Sequence, residues 1–170
     1  DNAKLQHLLF YLNGTADESM NVGCTNHQIL HISIDSALAP HPDGKSHTGM
    51  AISLGIGLTD YSSRKQGIVT KSSGESEFTG VSEKLGHGLW IKRIWEIITN
   101  QSSNQVQMVL KHDNLASKRL MEEGRALSQR TRHIHVKYFW VKQTFENENI
   151  KVMYQKSEKM IADFFAKPNL

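Results

Sequence analysis

The sequence predicts an α/β fold in which a five-stranded mixed sheet, a three-strand antiparallel meander followed by two parallel strands, is flanked by helices. Three observations predict it. Segments of period-two alternation and segments of 3.6-residue apolar periodicity succeed one another along the chain. Their order is three strands, a helix, a strand, helices, a strand and a helix; a meander followed by strand–helix alternation makes a mixed sheet. The length of 170 residues is that of one domain, at roughly 150 residues each. It is enough to bury about 70% of the unfolded surface without a disulfide or metal staple.

The chain opens on Lys4–Leu12, where Leu5, Leu8, Leu9 and Leu12 recur at helical spacing until Asn13-Gly14 stops the helix. From Gln28 the period becomes two: Leu30, Ile32 and Ile34 share one face, and His31, Ser33 and Asp35 the other. That is a strand. Pro40-His-Pro-Asp-Gly-Lys45 is turn-rich, and Thr48 to Leu54, with Met50, Ile52 and Leu54 on one side, reads as the antiparallel partner. Gly55 to Gly57 turns the chain again, and Gly67 to Lys71 reads as a third, short strand. Ser72–Thr99 is the longest helical pattern: Phe78, Val81, Leu85, Leu89 and Ile94 form a stripe that Ile97 and Ile98 extend. Ser72-Ser-Gly-Glu75 has the capping-box form that starts such a helix. Gly80, Gly86 and Gly88 each weaken it by about 1 kcal/mol relative to alanine unless close packing needs them. Val106, Met108 and Leu110 alternate in a fourth strand that ends at His112-Asp113-Asn114. A short helix over Leu115–Met121 is broken by Gly124, and Ile134, Tyr138, Val141 and Phe145 make a second long amphipathic helix. Ile150, Val152 and Tyr154 give a fifth strand, and Ser157 to Ala166 a last short helix closed by Pro168.

Composition excludes several classes. Apolar residues are 38% and charged residues 22%, and no apolar run reaches the 18 residues or so of a membrane span. Long disorder and collagen-like arrays are excluded too. Asp1 and Asn2 stand where a signal peptide has its basic region, so no secretory leader is expected. The single cysteine, Cys24, excludes an internal disulfide framework and suits a reducing compartment. Nothing beside it activates a thiol. With 20 basic and 17 acidic residues the net charge is +3, compatible with nucleic acid without demanding it.

Four carboxylates fall where such a sheet places chemistry. Asp35 ends the first strand, Glu77 lies in the first turns of the long helix, Asp113 ends the fourth strand, and Asp163 lies on the final helix. Ligand sites in α/β sheets gather at the carboxyl ends of strands. Clustered acids repel unless cations neutralise them, and hard oxygen donors suit Mg²⁺ or Mn²⁺ rather than zinc. Two such ions form the clamp for in-line attack on a phosphodiester. Spacing alone does not single out these four, because a carboxylate at a strand end or helix start is more often a cap or a solvated charge. Glu75 competes with Glu77, but the two point roughly 200° apart on a helix, so at most one faces the site.

The resemblance that singles them out is carried by words along nearly the whole chain. They are Asp35-Ser-Ala-Leu-Ala, Asp43-Gly-Lys-Ser-His-Thr-Gly49, Ser63-Arg-Lys-Gln66 and Thr70-Lys-Ser-Ser-Gly-Glu-Ser-Glu-Phe78. His112-Asp-Asn114, Arg130-Thr-Arg-His-Ile134 and Ile161-Ala-Asp-Phe-Phe-Ala-Lys-Pro168 continue the set. In that order they resemble the ribonuclease H domain of the copia-type LTR retrotransposon polyprotein. Leu9-Phe-Tyr-Leu-Asn-Gly-Thr15 is similar to the helix that joins the reverse transcriptase connection to that domain. The resemblance thus implies a tether over residues 1–25 and a ribonuclease H domain over 26–170 with a ribonuclease H-like fold. It implies endonucleolytic hydrolysis of the RNA strand of RNA–DNA hybrids in reverse transcription, with two Mg²⁺ ions for which Mn²⁺ substitutes. Asp35, Glu77, Asp113 and Asp163 become both catalytic residues and metal ligands. Glu77 precedes an apolar residue, as the family's glutamate does. In related enzymes the first aspartate bridges both ions, the glutamate and second aspartate hold one, and the last aspartate holds the other. The implied partners are a hybrid and the reverse transcriptase domain of the same polyprotein, with no membrane. The implied location is a cytoplasmic virus-like particle or the nucleus.

The chain departs from the pattern at Ala37 and Leu38, where many relatives of that type carry Asp and Trp. The loop Gln155-Lys-Ser-Glu-Lys159 lacks the histidine of cellular enzymes, which implies slow turnover or a substitute such as His133. Ser46, Thr48, Arg64, Lys65, Lys71 and Ser72 are candidate backbone contacts to a hybrid, with Arg132 and His133 beside them. His133-Ile-His135 is not a zinc pair: on a helix the two diverge by about 200°, and no third ligand has zinc-site spacing. Trp90, Trp95 and Trp140 on the long helices suit packing better than base stacking. Two other readings are a catalytically inactive nucleic-acid-binding or structural module of the same fold, and an integrase or resolvase. The intact acids speak against the first and the matched words against the second.

Overall fold

The computed structural model describes residues 2–114 and 132–167. Their elements are α1 (Asn2–Gly14), β1 (Gly23–Cys24), β2 (Ile29–Ala37), β3 (His47–Ser53), β4 (Gly55–Ile56), β5 (Asp60–Lys65), α2 (Ser73–Ile98), β6 (Gln107–His112), α3 (Arg132–Asn147), β7 (Ile150–Tyr154), a 3₁₀ turn (Ser157–Lys159) and α4 (Asp163–Ala166). Five strands form the main sheet in the order β5-β3-β2-β6-β7, and β1 with β4 makes a two-stranded ribbon. The pairs β2–β3 and β3–β5 are antiparallel; β2–β6 and β6–β7 are parallel. The meander and the two parallel strands are therefore as the sequence predicts.

The core lies between the sheet and helices α2 and α3. Leu30, Ile32 and Ile34 from β2 and Met50 and Ile52 from β3 meet Phe78, Val81 and Leu85 of α2 and Tyr138 and Val141 of α3. Phe78 stacks obliquely on Tyr138 with ring centroids 3.8 Å apart. Ser72 caps α2, its Oγ accepting from the Glu75 N–H, while the Glu75 carboxylate accepts from the Lys71 N–H. The reciprocal cap thus reaches one residue beyond the usual box. Gly80 and Gly88 are where α2 presses hardest on the sheet. A Cβ on Gly80 would overlap Ser36 Oγ, and one on Gly88 would lie 2.7 Å from Ile32 Cδ1.

Three expectations are corrected. The third strand is Asp60–Lys65, not Gly67–Lys71. Asp-Tyr-Ser-Ser-Arg-Lys carries no apolar alternation because it is an edge strand, and charged edges guard against stray pairing. The 67–71 segment is held by side chains rather than a ladder: at its two ends, Gln66 donates to Thr48 Oγ1 and to the Ser76 carbonyl, and Thr70 bonds Ser46. Secondly, Ile97 and Ile98 are 78% and 68% exposed and do not extend the stripe. Lys92 and Glu96 continue the buried face instead, with Lys92 Nζ 2.6 Å from Asn104 Oδ1 and 2.9 Å from Glu148 Oε2. Residues 97 and 98 lie about 100° and 200° round the helix from Glu96. Thirdly, Ser157–Ala166 is two short turns with a break at 160–162, not one helix. The expected helix over Leu115–Met121 lies outside the described residues.

Helix α1 buries none of its residues, and Leu5, Leu8, Leu9 and Leu12 are each at least half exposed. Among the described residues, no helix is long and apolar enough to cross a membrane.

Candidate metal centre

The four acids converge at the carboxyl ends of β2 and β6. Register explains each meeting. β2 and β6 run parallel with Ser33 opposite Lys111, so two residues further on Asp35 and Asp113 leave the same edge side by side. Asp35 lies opposite Gly49 across the antiparallel pair. The α4 backbone rests directly on that glycine: a Cβ at residue 49 would lie 2.5 Å from the Ala166 nitrogen and 2.7 Å from the Phe165 carbonyl carbon. Asp163, the first residue of α4, is thereby laid against Asp35. Glu77 arrives from the other side of the sheet, one turn before Gly80, and accepts a hydrogen bond from the Ser36 N–H.

Asp35, Asp113 and Asp163 each bring an oxygen to within 4.8 Å of the others, and so do Glu77 and Asp113 with a ring nitrogen of His112. Asp113 belongs to both groups, whereas Asp35, the bridging acid of the resemblance, belongs to one. His112 is a ligand candidate that the sequence reading missed, although the alternation Met108, Leu110, His112 already turned it toward the core. Its Nδ1 donates to the Ile34 carbonyl at 3.2 Å, and Nε2 then presents its lone pair 4.0 Å from Glu77 Oε2. Burial holds the ring's pKa low, in its neutral form.

Asp35 is 1% exposed and Glu77 5%. Burial, then a hydrogen bond shared with Asp163, pushes the Asp35 carboxyl up to about 7. Burial, then repulsion from Asp35 and Asp113, pushes Glu77 up to about 9. Among the described residues, Asp35 Oδ2, Glu77 Oε2 and His112 Nε2 are buried without a hydrogen-bond partner. Partnerless buried acceptors beside mutually repelling carboxylates are what a divalent cation satisfies, so the donor set fits such an ion. Ser157 Oγ donates to Asp113 Oδ2 at 2.7 Å. Lys167, also missed from the sequence, pairs with Asp163 at 2.8 Å and Asp35 at 3.6 Å. Its spacing of four from Asp163, at the end of the predicted last helix, was the available signal. The cleft above the acids has a volume of about 690 Å³ and is also bordered by Leu38, Ser73 and Tyr154.

The candidate nucleic-acid contacts divide. Arg64, Lys65, Lys71 and Ser72 are exposed along β5 and the entry to α2. Ser46 and Thr48 are fully buried and cannot touch a hybrid. Their hydroxyls are used inside, by Thr70 and Gln66. The side chains of Arg132 and His133 lie outside those described.

No family model matches the chain. It is 27% identical over 161 residues to the retrovirus-related Pol polyprotein from transposon TNT 1-94 of Nicotiana tabacum, covering 94% of this chain and 12% of the relative. It is 27% identical over 165 residues to the corresponding polyprotein from transposon RE2 of Arabidopsis thaliana, covering 96% of this chain and 11% of the relative. The chain thus spans about one eighth of the curated relatives it matches. Among solved structures it resembles the ribonuclease H1 LC11 in complex with an RNA/DNA hybrid, with a TM-score of 0.56, 15% identity, and coverage of 80% of this chain and 92% of that one. The chain is a domain of the ribonuclease H fold, related to the Pol polyproteins of plant transposons.

Proposed function

We propose that this domain hydrolyses the RNA strand of RNA–DNA hybrids endonucleolytically, leaving 5′-phosphate and 3′-hydroxyl ends, and serves reverse transcription of a copia-type element. The observation that carries the reading is the convergence of four acids from four separate elements into two overlapping ligand groups joined at Asp113. Asp35, Asp113 and Asp163 would hold one Mg²⁺, and Glu77 and Asp113, with His112 alongside, the other; Mn²⁺ would serve in their place. Two such ions, when bound, lower the pKa of the attacking water and stabilise the departing 3′ oxygen.

The chain's own groups supply position. Ser157 orients the Asp113 carboxylate, and the Ser36 N–H orients Glu77. Arg64, Lys65, Lys71 and Ser72 hold the hybrid's backbone, which fixes register without reading sequence. The hybrid complex of a ribonuclease of this fold supports that substrate class. The uncovered apolar residues of α1 suit packing against a preceding reverse transcriptase domain, within a cytoplasmic particle or the nucleus.

The test is cleavage of a labelled hybrid by the purified domain with Mg²⁺, beside Asp35→Asn. Cleavage of the RNA strand is expected to stop in chelator and in the variant. Undiminished activity of Asp35→Asn would overturn the site.

A further inference from the structure

We propose that Lys167 is a built-in competitor of the divalent cation at the Asp35–Asp163 pair, so that the ion enters by exchanging with an ammonium group. The inference rests on the proposed ion-binding role of the acids and deepens it. Lys167 Nζ lies 2.8 Å from Asp163 Oδ1 and 3.6 Å from Asp35 Oδ2. Those are two of the three carboxylates whose oxygens lie within 4.8 Å of one another. An ammonium at these distances and a cation ligated by the same two acids oppose each other, because like charges repel and the ammonium already takes Asp163 Oδ1.

The placement follows from the fold. Lys167 directly follows α4, where its N–H donates to the Asp163 carbonyl and its ammonium to the Asp163 carboxylate, and the contact of α4 with Gly49 fixes that side toward Asp35. The lysine can leave without dismantling anything. Its side chain is 48% exposed, whereas that of Asp35 is 2% exposed. The partner that is locked in place is the acid, and the one that swings is the base. Lys167 also has somewhere to go, for it borders both the acidic cleft and a second cavity of about 330 Å³ lined by His41, His47, Ser63 and Phe165. Expelled from the acids, the ammonium turns along that rim, where a nucleic-acid phosphate entering the cleft would meet it. Lys167 is thus a positioning and affinity-setting residue: it partly neutralises the acids when no ion is present and lowers their apparent affinity for one.

The experiment is titration of Mn²⁺ into the whole chain without nucleic acid, followed by calorimetry and by the electron paramagnetic resonance of free Mn²⁺. Lys167→Met and Lys167→Gln are compared with the parent, with Lys167→Arg as the charge-retaining variant. Lys142→Met, on α3, serves as an equal change of net charge. Loss of two half-exposed ion pairs is expected to tighten Mn²⁺ binding by roughly 3- to 10-fold in Lys167→Met and Lys167→Gln. Lys167→Arg and Lys142→Met should bind as the parent does. Thermal midpoints in chelator should fall in the two neutral variants and recover at saturating Mn²⁺. Equal or weaker binding by the neutral variants, or equal tightening by Lys142→Met, would overturn the competitor role alone. Absence of Mn²⁺ binding in every chain would overturn it together with the proposed function.

Discussion

Replacing Glu77 by glutamine should stabilise the fold in chelator while weakening its response to divalent ions, and the stabilisation should grow with pH. Glu77 is 5% exposed and its carboxyl is pushed up to about 9 from an ordinary 4.5. Between those values the folded chain keeps a proton that the unfolded chain has released. Stability therefore falls as pH rises through this window, by about 1.4 kcal/mol per pH unit. From pH 5 to pH 7 that is about 3 kcal/mol, and the figure requires only that the folded pKa lies above 7. Comparing variant with parent at each pH cancels the titrating groups that do not interact with Glu77; Asp35, which repels it, shifts in the same direction. A chain of this length moves by roughly 2–4 °C per kcal/mol, so the gap in midpoint between Glu77→Gln and parent should widen by roughly 6–12 °C over those two units. The assay is scanning calorimetry in chelator at pH 5, 6 and 7, repeated at saturating Mn²⁺, where the parent should gain more than the variant, which keeps only the Asp35, Asp113 and Asp163 group. A gap that stays flat with pH would refute the argument that burial and neighbouring acids hold the carboxyl protonated.

Three further perturbations probe the scaffold. Gly49→Ala places a methyl within 2.5 Å of the Ala166 nitrogen and should lift α4, costing about 1–3 kcal/mol. It should also weaken Mn²⁺ binding, and unchanged affinity by calorimetry would show that α4 is not held by that contact. Phe78→Ala empties the core against Tyr138 and should cost about 3–5 kcal/mol in urea unfolding; a loss below 1 kcal/mol would contradict full burial. Lys92→Met removes the buried ammonium between Glu148 and Glu96, which Arg93 still pairs, and should cost about 1–3 kcal/mol. Adding Glu148→Leu should recover much of that loss, which a double-mutant cycle measures directly.

Most of the fold was legible because its buried surfaces are periodic. Leu30, Ile32, Ile34 and Phe78, Val81, Leu85 carry two periods that water exclusion enforces. The edge strand Asp60–Lys65 escaped because its residues are stabilised by pairing with β3 and not by burial. The last turns of α2 escaped because Lys92 and Glu96 are buried there, paired with each other and with the partly buried Glu148, where apolar residues were expected. The four acids were legible as a set only through the words around them; individually they have the spacing of caps. Ser46 and Thr48 were misplaced because a hydroxyl looks the same in sequence whether it faces solvent or a buried partner such as Thr70 or Gln66.

Gly80 and Gly88 also limit how α2 can move. Eight residues apart, they sit about 12 Å from one another along the helix, one over Ser36 and Thr48, the other over Ile32 and Met108. The two notches act as a key with a single seating. Sliding the helix by one turn, about 5.4 Å, would drive side chains into both slots at once, and the buried Lys92 at its far end would lose Asn104 and Glu148. Glu77 is therefore delivered to the cleft by a rod that cannot be re-indexed, and mutations that loosen the carboxyl edge should tilt α2 or fray it rather than shift it.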